Sequence, residues 1–89
     1  GVFAGSALID GNSYLAAINV GSRPTVDDQE NLCEAFLLTW DDTKEIAANT
    51  FVQIHLKQKI RDTQKFANLE KLKAQITRDV EFVKTCYNL

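Results

Sequence analysis

A chain of 89 residues has room for one domain, and a domain this small hides only about 60–65% of its unfolded surface. Its 45% apolar and 25% charged residues suit a soluble globular protein, and a net charge of −2 offers no field for nucleic acid or an anionic membrane. No apolar run approaches the ~18 residues of a membrane span, and Cys33 and Cys86 form neither a disulfide framework nor a C-x-x-C pair, the usage of reduced thiols in the cytoplasm.

The opening Gly-Val-Phe-Ala-Gly lacks the basic n-region of a signal peptide and enters in full stride, which implies a natural start upstream. Val2 to Ile9 is apolar and small, a first strand. Asp10-Gly11-Asn12-Ser13 follows, and Asp-Gly between apolar runs predicts a hairpin. Tyr14 to Val20 is the return strand, apolar on both faces, which implies burial on both sides or a barrel. Gly21 to Asn31 is expected as a shaped loop. Gly21 can take unusual backbone angles, and Pro24 fixes its own φ while holding Arg23 out of the helical region. Asp27, Asp28 and Glu30 make the loop tip acidic.

Leu32 to Trp40 is the third strand, with Glu34, Phe36, Leu38 and Trp40 on one face. Glu34 is either an ordinary solvated residue of an edge strand or a carboxylate lining a wet cleft. Asp41 to Asn49 is a polar turn. Thr50 to Ile60 is the fourth strand, with Val52, Ile54 and Leu56 facing one way and Phe51, Gln53, His55 and Lys57 the other. The one histidine, His55, has no second ligand at metal spacing and reads as a surface residue. A charged link from Arg61 to Phe66 leads to a helix. Asn68 is its N-cap, Glu70 suits the first turn, and Leu69, Leu72, Ile76, Val80, Val83 and Tyr87 form its apolar stripe.

The phosphate loop, G-x-G-x-x-G and H-E-x-x-H motifs are absent, as is any Cys/His metal set. What remains is a strand carboxylate, a Gly/Pro segment, and an arginine followed five residues later by a phenylalanine. These types allow a general base at Glu34 and a clamp for a flat or anionic ligand at Arg61 and Phe66.

Taken in order, Gly1-Val2-Phe3-Ala4, Asn19-Val20-Gly21-Ser22-Arg23-Pro24-Thr25, Glu34 on a strand ending Leu37-Leu38-Thr39-Trp40, Ile60-Arg61-Asp62-x-x-Lys65-Phe66 and Asn68-Leu69-x-x-Leu72-x-x-Gln75-Ile76-x-x-Asp79 resemble the riboflavin kinase family. The likeness is greatest to the kinase half of bacterial bifunctional riboflavin kinase/FAD synthetases. It implies a mainly β fold, an antiparallel Greek-key barrel of six strands with one C-terminal helix, of which the four strands here leave two positions unfilled. It implies transfer of the ATP γ-phosphoryl group to the ribityl 5′-hydroxyl of riboflavin, giving FMN, with an adenylyltransferase domain in the parent chain.

By the same resemblance Glu34 is the catalytic base, Leu37 and Thr39 border the nucleotide, and Arg61, Gln64 and Phe66 border the flavin. Asn19, Gly21, Arg23, Pro24 and Thr25 match a loop near the site. Alternation puts Leu37 and Thr39 on the face opposite Glu34, so contact with ATP would need backbone groups or a bulge. The family's Mg²⁺ ligands belong to a P-T-A-N string expected upstream of Gly1, and no residue of this chain is assigned to metal. Thr63 stands where an acidic residue is common. The competing reading is a non-catalytic flavin-binding or assembly module built on the same frame.

Overall fold

The computed structural model describes residues 1–24, 26, 29–40 and 45–88, and for 23 and 24 the backbone alone. Four strands precede one helix: β1 (Val2–Ile9), β2 (Asn12–Pro24), β3 (Gln29–Leu37), β4 (Val52–Arg61) and α1 (Leu69–Cys86). All neighbours pair antiparallel, in the order β3-β2-β1-β4. Three consecutive strands with a fourth returning beside the first make a Greek key. The mainly β class and the C-terminal helix are as expected. The sheet does not close, because β3 and β4 are its two edges and four strands cannot wrap round a filled interior.

The hairpin is where Asp-Gly predicts it. Asp10 and Gly11 both have positive φ, 49° and 83°, and Ile9 pairs with Asn12, the geometry of a two-residue primed turn. The expected loop at Gly21 is a correction. β2 continues through Pro24, with Gly21, Ser22, Arg23 and Pro24 facing Leu32, Asn31, Glu30 and Gln29. Proline and the residue before it both favour extended backbone, so the pair that seemed to break the strand prolongs it to its last position. Among the described glycines only Gly11 has a positive φ, so Gly21 does not use its freedom. Thr25, Asp27, Asp28 and the start of the polar turn, residues 41–44, lie outside the described residues.

β3 starts at Gln29, three residues early, because the longer β2 offers partners there. It ends at Leu37; Leu38 still donates to the Leu15 carbonyl at 2.9 Å, and Trp40 meets Tyr14 edge-on at 5.0 Å. β4 carries two register shifts against β1, which leave Lys57 and Ile60 unpaired and restore the original face at Arg61.

Helix α1 covers one face of the sheet. Ala4, Ala17 and Val83 are buried at the contact, with Leu15, Leu38, Ile60 and Tyr87 packed round them. Alanines on the sheet let the helix approach closely. The Asn68 side chain accepts from the Lys71 amide at 2.9 Å, which caps the helix as expected. The stripe holds at Leu72, Ile76, Val80, Val83 and Tyr87, the last also the C-cap, but Leu69 is exposed. His55 is exposed, and both cysteines are free. No helix among the described residues is long and apolar enough to cross a membrane.

Candidate functional site

Strand register builds the site. Asn19 on β2 faces Glu34 on one side and Val2 on the other, and Val2 faces Arg61. Residues directly opposite in an antiparallel pair share a face. Glu34, Asn19, Val2 and Arg61 therefore form one row across all four strands, on the face that α1 covers. Three strand spacings separate its ends, about 14 Å between the Cα atoms of Glu34 and Arg61.

A cleft of about 380 Å³ opens over the row, lined by Glu34, Asn19 and Phe36 from the sheet and by Leu72, Ile76 and Asp79 from the helix. Glu34 sits exposed on its lip, on an edge strand, where water can reach the carboxylate. Asn19 is held by the link after β4: the Thr63 hydroxyl donates to Asn19 Oδ1 at 3.2 Å. Gly21 lies beside the same contact, where a Cβ would stand 3.7 Å from the Thr63 hydroxyl.

Arg61 closes the other end. Its Nε and Nη2 donate to the two Asp79 oxygens at 3.0 and 2.8 Å, and Nη1 donates to the Asp62 carbonyl at 3.1 Å. Asp79 is 3% exposed and also accepts from Gln75 Nε2 at 3.0 Å. The Arg61 guanidinium stands 5.7 Å from the centre of the Phe66 ring, within cation–π range. Beyond it a second cleft of about 470 Å³ is lined by Gln64, Lys65, Phe66, Lys71, Gln75 and Arg78, a basic wall beside an aromatic ring. Both volumes lie in the range of small-molecule sites.

Glu34 and Asn19 thus line the first cleft and Gln64 and Phe66 the second, while Arg61 contacts Asp79 of the first and Phe66 of the second. The fold does not bring Leu37 to them. Leu37 is on the opposite face, in an apolar cleft of about 390 Å³ with Cys33, Ala35, Val52 and Ile54. Thr39 lies past the end of β3 and is exposed, and β3 pairs with β2 without a register shift, the bulges falling in β4 instead. The backbone of Arg23 and Pro24 continues β2 four and five residues beyond Asn19, and Thr25 is outside the described residues.

Asp79 and Gln75 are functional candidates that periodicity alone passes over. The signal is present all the same. Asp79 falls seven residues after Leu72 and four before Val83, so it is a carboxylate inside the apolar stripe. Such a residue needs a buried partner, and Arg61 is the cation at the end of the preceding strand. Among the described residues no group of three or more His, Cys, Asp or Glu side chains is gathered to hold a metal ion.

A family model described as Flavokinase, riboflavin kinase, matches residues 1–87. The bifunctional riboflavin kinase/FMN adenylyltransferase of Escherichia coli (strain K12) is 40% identical over 83 residues, which cover 89% of this chain and 25% of that protein. The protein of the same name from Pseudomonas fluorescens is 40% identical over 84 residues, 90% of this chain and 25% of its own length. That from Haemophilus influenzae is 33% identical over 81 residues, 91% of this chain and 25% of its own. A crystal structure titled macrolide-efflux protein from Streptococcus pneumoniae superposes with a TM-score of 0.83 at 27% identity, over 94% of this chain and 27% of that one. The chain spans about a quarter of the length of these curated relatives.

Proposed function

The chain belongs to the riboflavin kinase family, and from that premise we propose that it serves as the riboflavin kinase module of a longer cytoplasmic protein with an adenylyltransferase domain, as in its bifunctional relatives. The reaction moves the ATP γ-phosphoryl group to the 5′-hydroxyl of riboflavin. The hydroxyl oxygen forms the new P–O bond, ADP leaves, and the hydroxyl proton passes to the Glu34 carboxylate. Such transfers have a loose transition state, so holding the hydroxyl in line matters more than the strength of the base. Mg²⁺ would accompany the nucleotide and neutralise charge on its phosphates.

The observation that carries this reading is the row from Glu34 to Arg61. Its span of about 14 Å suits a ligand with a flat ring system at one end and a polyol chain at the other. Arg61 and Phe66 would take the ring, Gln64 its polar edge, and Asn19 the chain, leaving the terminal hydroxyl at Glu34. Leu37 lies on the face opposite this row, so contact of Leu37 and Thr39 with the nucleotide would come through backbone groups.

The test is FMN formation from riboflavin and ATP by the full-length protein carrying Glu34→Gln. The expected result is a kcat lower by about 10²-fold, the low end for a general base. The riboflavin KM stays within about twofold, since a change only in kcat marks an interaction of the transition state. Full activity in this variant would remove Glu34 as the base. Riboflavin binding by the wild-type protein with no FMN formed would point instead to a non-catalytic flavin-binding module.

A further inference from the structure

We propose that Asp79, braced by Gln75, is a positioning residue that fixes the Arg61 guanidinium for the flavin ring; this rests on the reading of Arg61 as a flavin-side residue. The two oxygens of Asp79 take Nε and Nη2 of Arg61 side by side, at 3.0 and 2.8 Å. A two-point contact of this kind sets the plane of the guanidinium as well as its place. Gln75 Nε2, at 3.0 Å, holds Oδ1 of Asp79 from the next helical turn, and the Asp62 carbonyl takes Nη1 at 3.1 Å. Every group in the set is anchored by an element other than its own or by the next turn.

Position supports a role beyond stapling α1 to β4. Asp79 lines the cleft that holds Glu34, and Gln75 lines the basic cleft that holds Phe66. The bonded trio links the two, with Asp79 facing the first and Gln75 the second. A staple alone would be served as well by apolar side chains, which commonly match or exceed a buried ion pair in stability. A lysine at position 61 would supply charge without a plane, so a planar ligand gives the pair a reason to be Arg–Asp.

The experiment measures riboflavin binding, by flavin fluorescence quenching, and steady-state FMN formation on the full-length protein. Two variants are compared with wild type: Asp79→Asn, which keeps shape and loses charge, and the double variant Arg61→Met/Asp79→Leu, which replaces the pair by apolar packing. For Asp79→Asn the expected result is a riboflavin Kd and KM raised about tenfold, as misplacement by a fraction of an ångström produces. The kcat stays within about twofold and the ATP KM is unmoved, the pattern of lost uniform binding. The double variant is expected to melt as a folded protein and still to lose riboflavin affinity by tenfold or more, about the same factor or larger. If Asp79→Asn does not fold, Gln75→Leu decides: it removes the brace on Asp79 and keeps Arg61, and is expected to raise the riboflavin Kd and KM severalfold. A folded variant with wild-type riboflavin Kd and KM overturns the positioning role and leaves the kinase reading standing. Wild-type protein that binds no riboflavin overturns both.

Discussion

Removing the Asp79 carboxylate alone is expected to destabilise the fold far more than removing the whole ion pair. In Asp79→Leu the Arg61 guanidinium loses both charge-assisted contacts, and its side chain is only 18% exposed. Gln75 loses its acceptor as well. A cation stranded in a buried site costs about 3–5 kcal/mol, and an orphaned amide about 1–3 kcal/mol. Both side chains can turn partly to water from the cleft, so the combined cost is placed at about 3 kcal/mol, the low end of the first range. In Arg61→Met/Asp79→Leu nothing charged is left behind, and the expected change is within about 1 kcal/mol of wild type. The coupling between the two sites is then about 2 kcal/mol or more, as for residues in direct contact. Urea unfolding followed by circular dichroism, with the m-value held as the check on two-state behaviour, gives all four corners of the cycle. For a domain of 89 residues a loss of about 3 kcal/mol lowers the melting temperature by roughly 12–24 °C. Equal destabilisation of the single and double variants would refute the reasoning, because it would mean that packing, and not the stranded charge, sets the cost.

Two further outcomes follow from local geometry. Gly5→Ala places a Cβ against the His55 backbone carbonyl and 2.7 Å from Ile18 Cδ1, so β1 and β4 must separate. The expected cost is about 3 kcal/mol, the upper end for overpacking, and adding Ile18→Val should not restore the melting temperature, since the carbonyl clash remains. At the exposed Lys59–Asp62 pair, 2.6 Å apart, the hydrogen bond and charge of Lys59 hold the Asp62 carboxyl below its ordinary value of 3.8. A depressed folded pKa favours the folded state above the unfolded value, and that contribution fades as pH falls through the folded one. In an NMR titration Lys59→Gln should return Asp62 to the ordinary value, and about 1 M salt should do much the same to an exposed pair; an unmoved titration would contradict this cause.

The candidate site was partly legible before any fold was in hand. Glu34, Arg61 and Phe66 stand out because a carboxylate on a strand and an arginine five residues before an aromatic ask for an explanation. Gly21 misled, because a residue that permits a left-handed backbone does not require one, and β2 simply runs on through Pro24. Leu37 and Thr39 were set opposite Glu34 by alternation, and for Leu37 the face is as alternation has it. Asp79 and Gln75 stood in the motif string without a role, because a helical wheel marks where a residue points without saying what waits there.

The sequence by itself determined what depends on neighbours along the chain. The Asp10-Gly11 turn, the Asn68 cap, the alternation of β4 and the Leu72–Val83 stripe each follow from backbone preference or period within one segment. Tertiary structure alone decided which residues meet. Only the pairing of β3 with β2 and of β4 with β1 completes the row of Glu34, Asn19, Val2 and Arg61, and only the seating of α1 brings Asp79 to Arg61 across 18 residues of chain. The Asp10-Gly11 turn fixes the register of β1 on β2, but the return of β4 to β1 and the docking of the helix are set by packing between distant segments, which no local periodicity encodes.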